Sequence, residues 1–480
     1  MDGSISKRYL PGVQCTTVYR AIVSAVLVVM CVITSIAARP YDRITFHRIP
    51  AFARKYRTSC TTCHTAAPKL NVLGEAFRLN GYQFPENDAL LRNDDPVPLG
   101  ADEWKELWPR AIWPGEIPGS AALALRVQSD VQVTRRAGQP TVSLRFPQEV
   151  YLLAGSTLGE DIGAFVEVEW TQEGGVEVLQ AKFKFQNLLP WLPKRSLNAW
   201  VGLQNLYLFT FADRQIDRAG RQKFLWQQFR PSDLELRNPA TNETLQSANT
   251  FRLPQTQAAV ELNGLLTSRV FFGFGLAQGT RNTVDDNNRK DLYYKIRYKL
   301  GGLGLDGHYP DGGQPVLGGG GQLFDRTLIV EHFGYFGAQP VEGNRQDEHR
   351  SFGVNARGLV GPLDIGVGYV WGSNDNPWGA AAAAGMRYSS VFGKAEYLLF
   401  PWFMASFKFD TFGVDVPAAR AIGFTEGTLD QTRVLPGVII LIRQNIRGVI
   451  EGEFYTEHAG SSARGERRPH NLWFRLDVAF

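Results

Sequence analysis

The residues best suited to chemistry are two cysteines and a histidine in the run Cys60-Thr61-Thr62-Cys63-His64. In a C-x-x-C-H sequence the thiols add across the vinyl groups of haem, and the histidine becomes the proximal ligand of its iron. A zinc site would need a second Cys/His pair, and none follows within about a hundred residues. A thioredoxin-like site would lie in a βαβ pattern, which is absent here. The motif therefore predicts one covalently bound haem c.

The sequence offers few candidates for the sixth ligand of the iron. A methionine would raise the reduction potential, but beyond the apolar N-terminal run the methionines are Met386 and Met404, far from the motif. His47 is the only nearby histidine, which makes it the candidate distal ligand. An open sixth position and a ligand from the rest of the chain are the alternatives.

An apolar run at 21–38 follows a basic stretch and ends in small residues around Ala37. This pattern predicts a secretory signal over residues 1–37, with an uncleaved N-terminal anchor helix as the alternative. Of the four cysteines in the chain, removal of the signal would leave Cys60 and Cys63 alone. An exported protein without spare cysteines has no disulfide framework. The two remaining thiols therefore have another use.

The residues after His64 are expected to form a short amphipathic helix. Pro68 suits its first turn, and Leu70, Leu73 and Phe77 recur at helical spacing. Gly81 stands where the C terminus of a helix favours left-handed backbone. Such a helix would cover one face of a haem with its three apolar side chains, although an ordinary core stripe has the same pattern.

From about residue 121 the sequence alternates apolar and polar residues with a period of two, which is typical of strands with one apolar face. Gly-Gly pairs at 174–175 and 301–302 lie where tight hairpin turns would punctuate such strands. The clearest alternating segments are 123–133, 164–170, 179–186, 292–300 and 403–410.

A soluble sandwich and a membrane barrel both show this alternation. A barrel is favoured because Phe474, Leu476 and Val478 alternate toward Phe480, the form of the last strand of bacterial outer-membrane barrels. The charged faces of the strands would then line the lumen.

The connections between the strands are unequal, as expected of a barrel with short turns and long loops. The longest are predicted at 212–255 and 414–431. Loops at 310–325 and 338–350 would flank a single strand, so the expected number of about 16 strands is approximate.

The composition of the chain argues against two other classes of protein. A mean hydropathy of -0.19 excludes a polytopic helical membrane protein, and a net charge of +4 gives no broad basic field for nucleic acid. We expect a mainly β protein located in the bacterial outer membrane. Its parts are a signal peptide (1–37), a small α monohaem c-type cytochrome segment (38–100), a linker (101–120) and a transmembrane antiparallel β-barrel (121–480).

Residues 50–82 resemble the haem segment of the fused monohaem cytochrome c–porin family, outer-membrane proteins of bacteria that oxidise ferrous iron. Over the rest of the chain the resemblance is one of order: signal, small cytochrome, then barrel. The matching residues are Pro50, Phe52, Ala53, Arg54, Cys60, Cys63, His64, Pro68, Leu70, Gly74, Phe77, Asn80, Gly81 and Tyr82.

The resemblance implies that Cys60 and Cys63 attach haem c, that His64 ligates its iron, and that the protein passes electrons across the outer membrane. The implied partners are outer-membrane lipid, a periplasmic carrier such as a soluble cytochrome, and an extracellular donor such as Fe(II), with no nucleic acid. An iron:cytochrome oxidoreductase activity is left open. Two rival functions are a porin with a haem-bearing plug and a haem enzyme with an open sixth iron position.

The distal role of His47 can be tested with a His47→Ala variant. If His47 ligates the iron, its loss leaves the sixth position vacant, and we expect the absorption spectrum of the haem to change from a low-spin to a high-spin form. An unchanged spectrum would exclude His47 as the ligand.

Overall fold

The computed structural model describes the following ranges, all within one compact unit, Arg48–Phe480. They are residues 51–85, 88–91, 97–98, 106–107, 116–117, 122–136, 139–158, 161–171, 174–280, 288–311, 325–341, 345–379, 385–424, 430–459 and 470–480. The predicted signal and the candidate ligand His47 lie outside the described residues.

The secondary structure is mostly strand. In chain order the strands are β1 (His64–Ala66), β2 (Lys69–Leu70), β3 (Val97–Pro98), β4 (Glu116–Ile117), β5 (Ala122–Arg136), β6 (Gln139–Leu158), β7 (Ile162–Thr171), β8 (Gly175–Phe185), β9 (Asn198–Gln204), β10 (Glu235–Arg237), β11 (Thr244–Gln246), β12 (Gln257–Thr267), β13 (Val270–Ala277), β14 (Asp291–Leu300), β15 (Arg326–Val341), β16 (Arg345–Val360), β17 (Leu363–Asn374), β18 (Met386–Phe400), β19 (Phe403–Asp415), β20 (Asp430–Arg443), β21 (Ile446–Ala459) and β22 (His470–Ala479). The α-helices are α1 (Ala51–Lys55), α2 (Val72–Leu79), α3 (Asp88–Leu91) and α4 (Pro417–Ala421), with 3-10 turns at Cys60–Thr62, Leu225–Gln227 and Pro231–Asp233. None of the helices in the described ranges is long and apolar enough to cross a membrane.

Sixteen antiparallel strands, β5 to β9 and β12 to β22, form a closed barrel in which β22 pairs with β5. The predicted fold class and strand number are confirmed. Four of the five alternating segments singled out in the sequence lie within barrel strands, and the fifth, 179–186, extends one residue beyond β8.

The alternation of the sequence explains why the barrel forms. On the outside, Phe183 of β8 and Ile296 of β14 are each 48% exposed, whereas Lys184, the next residue of β8, points inward and is 0% exposed. Closure pairs the backbone of every strand, so no unpaired edge faces the hydrocarbon. This is the architecture of bacterial outer-membrane barrels, and the predicted outer-membrane location follows from it.

The two ends of the barrel differ in their connections. One end, which we call the short-turn end, carries two-residue turns at 361–362, 401–402 and 444–445. The opposite, long-loop end carries the connections 205–256 and 416–429, where the sequence predicted long loops. The first residue of β5 and the last residue of β22 both lie at the short-turn end.

Two predictions about connections are wrong. Residues 338–350 are mostly strand, because β15 and β16 pair as far as Val341 with Arg345 across a three-residue connection. Gly301-Gly302 is not a tight hairpin, since β15 begins only at Arg326, although Leu300 and Leu328 are paired. The connection 301–325 therefore lies at the short-turn end, which also carries 186–197, and the short connection 342–344 lies at the long-loop end.

The described residues between Ala51 and Leu91, which we call the plug, lie inside the barrel. An added Cβ at Gly163 of β7 would stand only 2.1 Å from the carbonyl oxygen of Gly81. One at Gly155 of β6 would stand 2.4 Å from the ring of Phe52. The glycines of the wall therefore let the plug backbone and an aromatic ring approach it closely.

The connection 205–256, which we call the inner loop, also folds into the lumen. Its Phe209 packs edge-on against Phe333 of β15, with ring centroids 4.7 Å apart. Its Trp226 packs against Phe392 of β18 at 5.5 Å. These contacts belong to a large buried apolar cluster that reaches the long-loop end at Val416.

A buried set of charges joins the plug, the inner loop and the barrel wall. Lys69 of the plug donates to Asp217 of the inner loop at 2.9 Å, to Glu396 of β18 at 2.6 Å, and to Asp364 of β17. Burial lowers the pKa of Lys69, but the three carboxylates more than offset this and hold the pKa above its usual value. Arg357 and Lys394 pair with the same carboxylates, so three cations face three anions.

We predict that Lys69→Met destabilises the folded barrel by about 3–5 kcal/mol, because it leaves buried carboxylates without their shared cation. The midpoint of denaturant unfolding of the refolded barrel measures this. Lys194→Met, at an exposed position of the short-turn end, is the matched control and should change stability by less than about 0.5 kcal/mol. Equal stability of the two variants would contradict the role assigned to Lys69.

Candidate functional site

The C-x-x-C-H motif adopts a tight turn that Asn71 holds in place. The backbone N–H of Cys63 donates to the carbonyl of Cys60 at 3.2 Å. The Asn71 amide donates to the carbonyls of Thr61 and Thr62, and the Asn71 backbone N–H donates to the carbonyl of Cys63 at 2.9 Å. Asn71 thus fixes the backbone of the motif from outside it.

The helix predicted from Pro68 begins later, at Val72, because Asn71 is its N-cap. The Asn71 side-chain oxygen accepts the backbone N–H of Gly74 at 2.9 Å, the usual capping bond. The predicted left-handed residue at the other end is confirmed, since Gly81 has φ +68°. The signal for Asn71, a capping residue directly before an apolar run, was present in the sequence.

Gly74 allows the helix to press against the motif. A Cβ at this position would lie 2.1 Å from the carbonyl oxygen of Cys63, far inside van der Waals contact. Any side chain at position 74 would therefore push α2 away from the cysteines.

His64 is oriented for ligation. Its Nδ1 lies 3.2 Å from the carbonyl oxygen of Pro68, and a carbonyl only accepts, so Nδ1 carries the proton and Nε2 keeps its lone pair. Burial lowers the pKa of His64 to about 4. The imidazole is therefore neutral at physiological pH, which is the form that binds a metal.

Cys60, Cys63 and His64 all line one cavity of about 310 Å³ inside the barrel. Both cysteines are free thiols. Burial raises the pKa of both, to about 12 for Cys63. The structure thus brings together the three residues that the motif predicted, in a space of the size used by small-molecule sites, roughly 300–1,000 Å³.

One side of the cavity is aromatic and comes from the plug. Phe52 and Phe77 have ring centroids 5.1 Å apart, and Tyr56 and Phe84 are 4.7 Å apart. Tyr82 stacks on Phe52 at 5.8 Å. Such a surface suits the flat apolar face of a porphyrin. Of the predicted helix stripe, Phe77 lines the cavity from α2, Leu70 lines it from β2, and Leu73 does not line it.

The lining also includes charged side chains from the barrel wall and the inner loop. Arg126 and Arg447 share Asp477, with nitrogen–oxygen distances of 2.6 and 2.9 Å. Arg214 and Arg218 of the inner loop line the same space. The sequence did not single out these arginines, because Arg214 and Arg218 reach the cavity only through the return of the inner loop into the lumen, and Arg126 and Arg447 only through closure of the barrel.

The donor set fits haem c. Two thiols, a neutral imidazole with a free Nε2, an aromatic face and a basic face surround one space, and each corresponds to a part of that group. Within the described ranges there is no group of three or more His, Cys, Asp or Glu residues that could hold a bare metal ion.

The other candidate ligands are not brought to this cavity. Met386 is buried in the aromatic cluster, and Met404 packs with Ile439 and Val449 elsewhere on the wall. Among the described residues that line the cavity, His64 is the one histidine. The assignment of His47 as the distal ligand stays a prediction.

The cavity lies toward the short-turn end. Its lining includes Gln444 and Asn445, which form the turn between β20 and β21, and Ala479, the last residue of β22. The aromatic cluster of the inner loop lies on the other side, toward the long-loop end. The site is thus placed off-centre along the barrel axis.

We predict that Gly74→Ala lowers the stability of the protein by about 1–3 kcal/mol, as overpacking does, and reduces the fraction of chains that carry covalent haem, measured by pigment retained after denaturation. Gly448→Ala is the control, because an added Cβ there meets nothing within 4 Å. Equal pigment in both variants would refute the constraint placed on position 74.

Neither a family model nor a curated protein matches the chain. Among solved structures, the chain is similar to OmpF of Salmonella typhi in complex with daunomycin, with a TM-score of 0.51 and 10% identity over 76% of this chain and 98% of that one. It also aligns with an anion-selective porin of Comamonas acidovorans, with a TM-score of 0.48 and 12% identity over 75% of this chain and 99% of that one. The outer-membrane channel DcaP of Acinetobacter baumannii aligns with a TM-score of 0.48 and 11% identity over 75% of this chain and 97% of that one. The likeness is one of fold: the chain forms a porin-like barrel.

Proposed function

We propose that this chain transfers electrons across the outer membrane by means of a single haem c held inside the barrel by Cys60, Cys63 and His64. The observation that carries the proposal is that these three side chains line one cavity within the lumen. When bound, haem c supplies a one-electron iron couple whose potential depends on axial ligation and burial.

The filling of the lumen supports electron passage over solute passage. The inward-facing charged residues Asp130, Lys184 and Asp410 are each 0% exposed. In a water-filled porin such side chains face solvent. Here the plug and the inner loop cover them, so the described lumen is protein rather than an aqueous path.

On this proposal the two partners would approach opposite ends of the barrel. In outer-membrane barrels the short turns face the periplasm and the long loops face outward. A periplasmic carrier such as a soluble cytochrome would therefore approach the end near the cavity, and an extracellular donor such as Fe(II) would approach the long-loop end. Because the hydrocarbon layer is about 30 Å thick, a redox group within the barrel shortens the distance that an electron must cross.

A second candidate function is a channel whose plug carries the haem. The fold shared with OmpF favours it. This function would require the plug to leave the lumen or to leave a solute path beside it, against the buried ion pairs of Lys69.

We predict that the purified outer-membrane chain keeps its pigment after denaturation, and that Cys60→Ser/Cys63→Ser loses it because no thioether bond can form. Fe(II) should reduce the wild-type pigment, followed by absorption spectroscopy. Thr61→Ala, within the same motif, is the matched control and should keep the pigment.

Single-channel recording separates the two candidates. The electron-transfer function predicts low conductance for the wild-type protein in planar bilayers. Free ion conductance, together with a pigment that Fe(II) does not reduce, would establish the channel instead. A wild-type chain without covalent pigment would end both haem functions.

A further inference from the structure

The cavity beside the motif carries more positive than negative charge. Its lining includes six cationic side chains and four anionic ones, an excess of two positive charges. Three of the six cations form ion pairs: Arg126 and Arg447 share Asp477, and Arg78 pairs with Glu75 at 2.6 Å. Glu75 lies outside the lining, so its pairing with Arg78 leaves five cations against four anions, and three of those cations, Arg214, Arg218 and Lys223, come from the inner loop.

Arg214 and Arg218 form no ion pair within the described part of the chain. The Nε of Arg218 is buried without a hydrogen-bond partner, and its Nη1 donates only to the carbonyl oxygen of Arg221 at 3.1 Å. Burial and the neighbouring Arg475 lower the pKa of Arg218 to about 10. A buried guanidinium N–H without an acceptor is unfavourable, so Arg218 favours an acceptor of negative charge in the cavity.

The chemistry of that anion follows from the site. A guanidinium presents a planar fork of N–H donors that matches a carboxylate. A haem attached at Cys60 and Cys63 has two carboxylates, its propionates, at the edge away from the vinyl groups. A propionate in the cavity would offset the remaining positive charge and supply an acceptor for the buried Nε of Arg218.

Resting on the proposed function, we propose that Arg214 and Arg218 of the inner loop bind the propionate carboxylates of the haem that Cys60 and Cys63 attach. The plug then supplies the covalent bonds and the axial histidine, and the inner loop supplies the counter-charges. The two lumenal segments hold opposite edges of the same group.

The test is a comparison of Arg214→Gln/Arg218→Gln with wild type by resonance Raman spectroscopy and redox titration of the pigmented protein. We expect covalent pigment to remain, since the cysteines are untouched. The propionate bending bands should shift because the charged hydrogen bonds are lost. The reduction potential should fall because two positive charges that favour the reduced iron are removed.

Two further variants complete the design. Arg230→Gln/Arg237→Gln removes two exposed arginines of the same inner loop that do not line the cavity, and it should match wild type in both readouts. Arg214→Lys/Arg218→Lys keeps the positive charges but lacks the guanidinium fork. We therefore expect its reduction potential to be closer to the wild-type value than its propionate bending bands are. If the double glutamine variant does not assemble, each single glutamine variant is measured in its place, with half the effect expected on the bands.

If the glutamine variants keep the bending bands and the reduction potential of the wild-type protein, the assignment of Arg214 and Arg218 is overturned. The proposed function is left intact by that result. A wild-type chain without covalent pigment would instead defeat the proposed function itself. The two failures are therefore distinguishable from the same set of preparations.

Discussion

The inward faces of the barrel strands carry charges that cannot remain buried alone, and the satisfaction of those charges determines what occupies the lumen. Lys69 of the plug is the clearest case, because its ammonium lies among carboxylates from the wall and the inner loop. Arg433 of β20 is another, paired with Asp410 at 2.8 Å and with Glu453. Buried ions are costly unless they are paired and hydrogen-bonded. The pairing therefore specifies one arrangement of plug and inner loop inside the wall.

The haem motif depends on that arrangement through short-range contacts. Asn71 fixes the turn of the two cysteines and starts α2, while Gly74 lets α2 approach the carbonyl of Cys63. The carbonyl oxygen of Pro68 accepts a hydrogen bond from Nδ1–H of His64, and this bond sets the tautomer of the imidazole. These are local effects of a few residues. The cavity they face is completed by distant parts of the chain, since the wall and the inner loop supply its charged side.

Much of the fold was predictable because strand periodicity is a local property. The alternation at 123–133 and 292–300 placed β5 and β14, and the motif itself gave Cys60, Cys63 and His64. The errors arose where local sequence has two solutions. Pro68 suits the start of a helix, but Asn71 is also a capping residue and is the one that starts α2. Gly301-Gly302 suits a hairpin turn, but it begins a longer connection. Arg214 and Arg218 carried no signal, because their position depends on a loop of about 50 residues folding back into the lumen.

The closure of the barrel between β5 and β22 has a consequence for the order of biogenesis. The backbone of Leu125 exchanges two hydrogen bonds with Phe480, at 2.7 and 2.8 Å, so the seam joins the beginning and the end of the wall. The thiols lie behind that seam, among side chains of both terminal strands. On the proposed function, an enzyme that attaches the pigment could not reach these thiols once the barrel has closed. Attachment would therefore precede the pairing of β5 with β22, and that pairing would then enclose the pigment.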